Sequence, residues 1–237
     1  MTCCAIKIAD AQITFGPKLG INSFDQSADL TDSIDEPNTT AKMGYQVGGV
    51  VNFQIGDNFA IRPEVLFERI AVKYTSSINA GPLATATVDV FNKYNYLSVP
   101  INFVGMFNAG PGKINIFAGP QFSFGVGGKS KATETVSVPF FGNQSMESTS
   151  KLKPGKDDGS ATSSDVYYNP INISMNAGLG YQYKRVLLSG QYNFGFTNVT
   201  PHSTDSAQED RRDDMVIKNH GITVGLTFFF GSIGDED

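Results

Sequence analysis

The sequence predicts an all-β chain: an eight-stranded antiparallel up-and-down transmembrane β-barrel with short periplasmic turns and long extracellular loops. Three observations predict it. Large apolar residues recur at every second position in eight separate stretches, the residues between them are small or polar but seldom charged, and the connections alternate between tight turns and long polar segments. A period of two gives a strand one apolar and one polar face. Short turns at one end and long loops at the other mark a bacterial outer-membrane barrel, whose even strand count puts both termini on the periplasmic side.

Each stretch assigns its own faces. Strand one carries Ile13, Phe15, Leu19 and Ile21 outward, and Gln12, Thr14, Lys18 and Asn22 inward. The second has Tyr45, Val47, Val51, Phe53 and Ile55 out, with Gln46, Asn52 and Gln54 in. In the third, Phe59, Ile61, Val65 and Phe67 point out, and Arg62, Glu64 and Glu68 in. The fourth places Leu97, Val99, Ile101 and Phe103 out against Tyr96, Ser98 and Asn102. Strand five sets Ile114, Ile116, Ala118, Phe122, Phe124 and Val126 outside, and Asn115, Gln121 and Ser123 inside. In the sixth, Ile171, Ile173, Met175, Leu179 and Tyr181 oppose Asn172, Ser174, Asn176 and Gln182. Strand seven has Val186, Leu188, Tyr192, Phe194 and Phe196 out, and Ser189, Gln191 and Asn193 in. The last runs Ile222, Val224, Leu226, Phe228 and Phe230 outward, with Phe229 the one apolar residue on the polar face.

Tight turns fall at Gly56-Asp57-Asn58, at Asn108 to Gly112 and at Lys184-Arg185; long polar connections occupy roughly residues 23–42, 72–92, 128–167 and 199–215. The longest has room for a hairpin of its own, since Thr135 to Phe141 alternates weakly. Pro17, Pro63, Pro100 and Pro120 fall inside predicted strands, where proline is confined to edges and bulges, so they predict bulges or register adjustments. A soluble sandwich or lipocalin-like barrel also alternates, with its apolar face inward. The polar faces here are mostly Gly, Ser, Asn, Gln and Thr, without the Lys and Glu of a water-exposed sheet, which favours the membrane arrangement.

Composition agrees. The 237 residues hold no run of about 18 apolar residues, excluding a helical span. With 25 Gly, 18 Phe and 17% charged residues they suit an all-β chain with many turns. A net charge of -5 argues against nucleic acid as a partner. Cys3 and Cys4 are the only cysteines and are adjacent, so no disulfide framework is available. Residues 1–11 read as a residual leader or N-terminal tail: Ala9-Asp10-Ala11 ends like a cleavage region, without the basic start and apolar core of a secretory signal. The barrel is assigned to residues 12–230 and an acidic C-terminal tail to 231–237.

Several segments resemble the PorT-like outer-membrane β-barrel proteins of the Bacteroidetes. They are Gly16-Pro17-Lys18-Leu19-Gly20-Ile21-Asn22, Phe59-Ala60-Ile61-Arg62-Pro63-Glu64, Tyr96-Leu97-Ser98-Val99-Pro100-Ile101, Phe117-Ala118-Gly119-Pro120 and Gly221 to Phe230. The resemblance spans residues 13–230 and implies a Gram-negative cell outer membrane and a link to secretion or envelope function, without assigning a role. The last strand also resembles the signal read by the barrel-assembly machinery, with Thr223, Gly225, Phe228 and Phe230 at its positions; the departure is that Gly231 to Asp237 follow.

An eight-stranded lumen is just wide enough for side chains to fill. Lys18, Arg62, Glu64 and Glu68 therefore predict an interior charge network with each charge paired and hydrogen-bonded, a gate or proton path being the functional alternative. His202 with Asp205, or His220 with Asp213 or Asp214, would be the only base candidates; no nucleophile motif, metal-ligand spacing or phosphate loop accompanies them. No catalytic residue, metal or cofactor is expected. Asp25, Asp29, Asp32, Asp35 and Glu36 fit no calcium loop and read as a solvated acidic surface, and Glu209 to Asp214 read as a charged, mostly solvated loop. Tyr45, Tyr74, Tyr94, Tyr96, Tyr167, Tyr168, Tyr181 and Tyr183 predict interfacial girdles, with Tyr96 turned inward. The function expected is a small non-enzymatic barrel with a structural or surface-recognition and docking role through its extracellular loops. A narrow channel for small solutes, or a soluble lipocalin-like ligand-binding barrel, are the alternatives. The partners expected are outer-membrane lipids and lipopolysaccharide, the barrel-assembly machinery during insertion, and envelope or secretion proteins, with no nucleic acid.

Overall fold

The computed structural model describes residues 12–30, 38–79, 85–138, 142–155, 165–198 and 215–231. Its strands are β1 (Gln12–Leu30), β2 (Asn38–Gln54), β3 (Phe59–Asn79), β4 (Thr85–Ala109), β5 (Gly112–Val138), β6 (Gly142–Pro154), β7 (Val166–Tyr168), β8 (Ile171–Tyr183), β9 (Val186–Gly195), β10 (Met215–Phe228) and β11 (Phe230–Gly231). Eight of them close an antiparallel ring in the order β1-β2-β3-β4-β5-β8-β9-β10, with β10 returning to β1. The closing seam pairs Leu19 with Leu226 and Ile21 with Val224, and β11 continues it opposite Thr14 and Phe15.

The tight turns lie where the sequence puts them. Gly56 and Gly110 take φ of 72° and 60°, which glycine adopts without a Cβ penalty, and Lys184 takes 51° in a two-residue connection. One glycine is required by proximity instead. A Cβ on Gly16 would stand 1.7 Å from the Phe228 carbonyl oxygen, where the last strand breaks between β10 and β11.

Side-chain directions follow the alternation. The outward residues of the ring, from Ile13, Phe15 and Leu19 to Val224, Leu226 and Phe230, lie exposed on the outer wall. The residues between them, including Asn22, Gln46, Ser98, Asn115, Gln121, Asn176 and Thr223, are buried inside. This excludes the soluble lipocalin-like alternative, whose apolar face would line the centre. Phe229 breaks the last strand's pattern because it packs inside with Val50 and Leu187.

Two expectations are corrected. Much of what reads as long loop is strand: β4 has 25 residues and β5 has 27, against the roughly 9–11 that cross a membrane. Beyond the apolar band β3, β4, β5 and β6 continue as an antiparallel sheet, with β2 alongside β3 as far as Asn38 opposite Thr75. Water wets both of its faces, so its alternation is short and lacks a row of large apolar residues; Val88, Val90, Thr133, Thr135 and Val136 carry β-forming side chains. The hairpin allowed within 128–167 is β5 paired with β6, from Gly128 opposite Leu152 to Val138 opposite Gly142. The prolines do not make bulges. Register is unchanged across Pro63 and Pro100, and individual bridges drop out beside them because proline has no N–H. The register shifts fall at Lys42/Tyr45 and Asn95/Tyr96, where the barrel meets the extracellular sheet.

Leu226 is half exposed at the middle of the last strand's outer face. Leu226→Arg is expected to cost about 2–4 kcal/mol, the penalty of a cation at the bilayer midplane. Urea unfolding in lipid vesicles measures it. Thr223→Arg, which faces the lumen, escapes that bilayer penalty and is limited by crowding.

Candidate functional site

The lumen is built in layers. At the periplasmic end two apolar clusters fill it: Val50, Leu187 and Phe229, and Ala60, Val104, Met106 and Phe117. The Arg62 guanidinium lies 5.5 Å over the Phe229 ring. It donates from Nε to Asn52 Oδ1 at 3.0 Å and from Nη2 to Asn115 Oδ1 at 2.8 Å.

Above it, Lys18 Nζ meets Glu64 Oε2 at 2.7 Å, both side chains nearly fully buried. Asn102 Nδ2 donates to the other Glu64 oxygen at 3.2 Å. Room for the lysine comes from β10, since a Cβ on Gly225 would stand 3.1 Å from Lys18 Cε. The next layer centres on Glu68, which accepts from Ser98 Oγ at 3.0 Å, Gln121 Nε2 at 3.2 Å and Asn22 Nδ2 at 3.3 Å.

A third apolar cluster closes the extracellular mouth: Phe24, Ile70, Val72, Tyr94, Tyr96, Leu152 and Tyr168. Leu152 and Tyr168 come from β6 and β7, so the connection between β5 and β8 folds inward as a cap. Tyr168 meets Tyr94 and Tyr96 edge-on, with centroids 5.2 Å and 5.8 Å away, and its hydroxyl accepts from Gly127 N at 3.1 Å. A Cβ on Gly125 would come within 2.7 Å of that hydroxyl, so the glycine is what lets the ring in. Tyr74 packs on the cap and its hydroxyl bonds Gln26, which donates to Asn219 Oδ1 at 2.6 Å. Burial pushes the Tyr74, Tyr94 and Tyr168 hydroxyls above the usual phenol range and keeps them neutral.

The structure buries all four of Lys18, Arg62, Glu64 and Glu68 in the lumen. Among the described residues only Lys18 and Glu64 form a direct ion pair there. Arg62 is held by asparagine oxygens, and Glu68 by amides and a hydroxyl, rather than by opposite charges. Thr223 is buried inside, Phe228 and Phe230 are exposed outside with rings 4.9 Å apart, and Gly225 lies against Lys18. Three of the tyrosines assigned to girdles, Tyr74, Tyr94 and Tyr168, belong instead to the cap; Tyr45, Tyr181 and Tyr183 lie exposed on the outer wall. Sequence pattern missed the cap because one ring and one leucine, isolated in polar segments, carry no period.

His202, Asp205, Asp213, Asp214 and most of the acidic first loop lie outside the described residues. His220 stands opposite Asp25 between β10 and β1. Among the described residues no group of three or more His, Cys, Asp or Glu is placed to hold a metal ion. On the extracellular sheet, Lys73 pairs with Asp89 at 3.0 Å and Lys131 with Glu147 at 2.9 Å. The Thr75 hydroxyl, with Lys73 beside it, holds the Asp89 carboxyl below the usual carboxylate range.

A family model described as an outer membrane protein beta-barrel domain matches residues 9–200. Among solved structures, the attachment invasion locus protein Ail of Yersinia pestis is 11% identical, with a TM-score of 0.37, over 92% of this chain and 99% of that one. Neisserial surface protein A is 14% identical, with a TM-score of 0.35, over 91% and 97%. The N-terminal barrel domain of Pseudomonas aeruginosa OprF is 11% identical, with a TM-score of 0.25, over 90% and 97%. No curated protein matches the chain.

Glu64→Gln leaves the Lys18 ammonium buried without its counter-charge and is expected to destabilise the barrel by about 3–5 kcal/mol. The double change Lys18→Met with Glu64→Leu is expected to recover most of that loss, because it removes both desolvated charges together. Urea unfolding of the three proteins in one lipid checks both values.

Proposed function

The chain belongs to the outer membrane protein β-barrel domain family, and we propose that in the outer membrane it is a non-enzymatic surface protein whose extracellular sheet docks other envelope components. One observation carries this reading: the lumen is closed at both ends by apolar clusters and filled between them by an interlocked polar network, whereas β3–β6 project a broad polar sheet beyond the lipid. A solute would have to displace the Leu152–Tyr168 cap, the Lys18–Glu64 pair and the Phe229 cluster in turn. The narrow-channel alternative keeps one observation in its favour, a cap contributed by a long connection, but the layers beneath it weigh against passage.

Within this proposal Lys18, Arg62, Glu64 and Glu68 act as a structural plug whose charges cancel, not as a proton path. Thr223, Gly225, Phe228 and Phe230 form the strand offered to the barrel-assembly machinery, supported by the outward phenyl pair at its end. The motif resemblance to PorT-like barrels of the Bacteroidetes supports envelope or secretion proteins as the docked components.

Planar-bilayer recording of the reconstituted protein is expected to give no steady open-state current; a stable conductance would overturn the plug. Replacing residues 131–149 with a short turn is expected to leave the heat-resistant gel migration of a folded barrel intact. It should also remove the neighbours that co-purify with the full chain from native membranes.

A further inference from the structure

The outer wall carries an unusual row of charge just above the lipid-facing band. Lys93 on β4 stands directly opposite Lys129 on β5, and Lys129 directly opposite Lys151 on β6. All three are exposed, while the residues beside them along each strand, Tyr94, Ser130 and Leu152, are buried on the inner side. The three lysines therefore share the outer face. With strands about 4.8 Å apart, the row is about 10 Å wide.

Like charges directly opposite on neighbouring strands destabilise a sheet. The lysines that flank the row are neutralised: Lys131 pairs with Glu147 at 2.9 Å and Lys153 with Asp165 at 2.5 Å. The central three have no carboxylate in ion-pair range among the described residues, and the Lys93 ammonium lies 4.9 Å over the Phe91 ring. A chain of net charge -5 has acidic residues to spare, and none of the described ones is placed here. Arg69 lies one row nearer the lipid, donating to Asn95 Oδ1 at 2.8 Å and sitting 5.3 Å over the Tyr45 ring.

The height of the row identifies its occupant. Leu97 and Val126 end the apolar wall of β4 and β5. Lys93 is four residues beyond Leu97, about 10 Å along the membrane normal for a tilted strand, and Arg69 is nearer still. The headgroup layer extends about 5–7 Å beyond the hydrocarbon, and lysine stems reach back into it from that height. A lipid lying with its chains against Leu97, Val99, Phe122 and Phe124 brings its headgroup to the row.

We propose that Lys93, Lys129 and Lys151, with Arg69 beneath them, form a docking site for the phosphate-bearing headgroup of an outer-leaflet lipid. The site rests on the outer-membrane location of the chain and not on the docking role of the extracellular sheet. It survives if bilayer recording finds a channel.

The full chain in neutral detergent is titrated with bisphosphorylated lipid A, with the same lipid dephosphorylated, and with inorganic phosphate, and retained lipid is read by native mass spectrometry. Each lysine near an anionic surface strengthens binding about fivefold, so Lys93→Gln, Lys129→Gln and Lys151→Gln together are expected to weaken lipid A retention on the order of 100-fold. The corresponding triple arginine variant is expected to retain it, and both variants to keep heat-resistant gel migration. Equal retention by wild type and the glutamine variant overturns the site, as does equal retention of the dephosphorylated lipid. Displacement of lipid A by inorganic phosphate alone would make the site one for a free anion and overturn the lipid assignment. So would lysine-dependent binding of a sulfated polysaccharide without retention of lipid A.

Discussion

Closure of the backbone hydrogen-bond ladder between β10 and β1 governs everything else in this molecule. Hydrocarbon offers no partner to a peptide N–H or C=O, so a sheet can cross it only as a ring without edges. Thirteen consecutive residue pairs, Lys18–Thr227 through Leu30–Met215, join the last long strand to the first. Eight strands then fix the bore, and that bore admits side chains but no open pore. Most inward polar groups find a partner among their neighbours across the ring, with Gln46 Nε2 and the Tyr96 hydroxyl among the exceptions, and this is why the interior is a set of asparagines, glutamines and serines around a few cancelling charges.

The same geometry sets the demands on individual residues. A buried Lys18–Glu64 pair is acceptable because Asn102 satisfies the second carboxylate oxygen and Gly225 leaves space for the lysine stem; the desolvation of two ions would otherwise exceed their attraction. Arg62 adopts a different solution, with two asparagine acceptors and an aromatic face below it. Glu68 is met by three neutral donors. Periodicity locates these charges inside, but cannot tell an ion pair from a carboxylate held by amides, because that depends on which strands become neighbours and in what register.

That distinction marks how much was legible in the sequence. Rows such as Ile222, Val224, Leu226, Phe228 and Phe230 carry their own orientation, since hydrocarbon on one side and a crowded polar bore on the other impose opposite chemistry at successive positions. Above the lipid that contrast disappears. Thr85 to Phe91 and Lys131 to Val138 face water on both sides, so their short alternation of Ala, Val and Thr lacks a row of large apolar residues and cross-strand pairing is what reveals them as strand. Prolines mislead for a related reason: each removes one donor, and a ring with so many remaining ladder bonds tolerates the loss without slipping register.

Between the barrel and the extracellular sheet lies a change of partner within one strand. From Lys113 to Phe124, β5 pairs with β8; from Gly128 onward it pairs with β6. The switch occupies Gly125 to Gly127, beside the register shift at Asn95/Tyr96 and with Gly127 at a φ of 124°. Strand β8 starts at this level, with Ile171 opposite Phe124, and β6 completes its descent from Gly142 here, with Leu152 opposite Gly128, so the wall would gape between them. Tyr168 fills the breach: its hydroxyl bonds the backbone of Gly127, its carbonyl accepts from Gly155 N at 3.0 Å, and Gly125 N donates to Pro170 O at 2.7 Å. The cap over the lumen, the free-standing sheet and the outward row of Lys93, Lys129 and Lys151 thus share one origin. Had β5 stayed with β8 to its end, β6 would have had no place beside it, and Lys129 would not have a lysine on both sides.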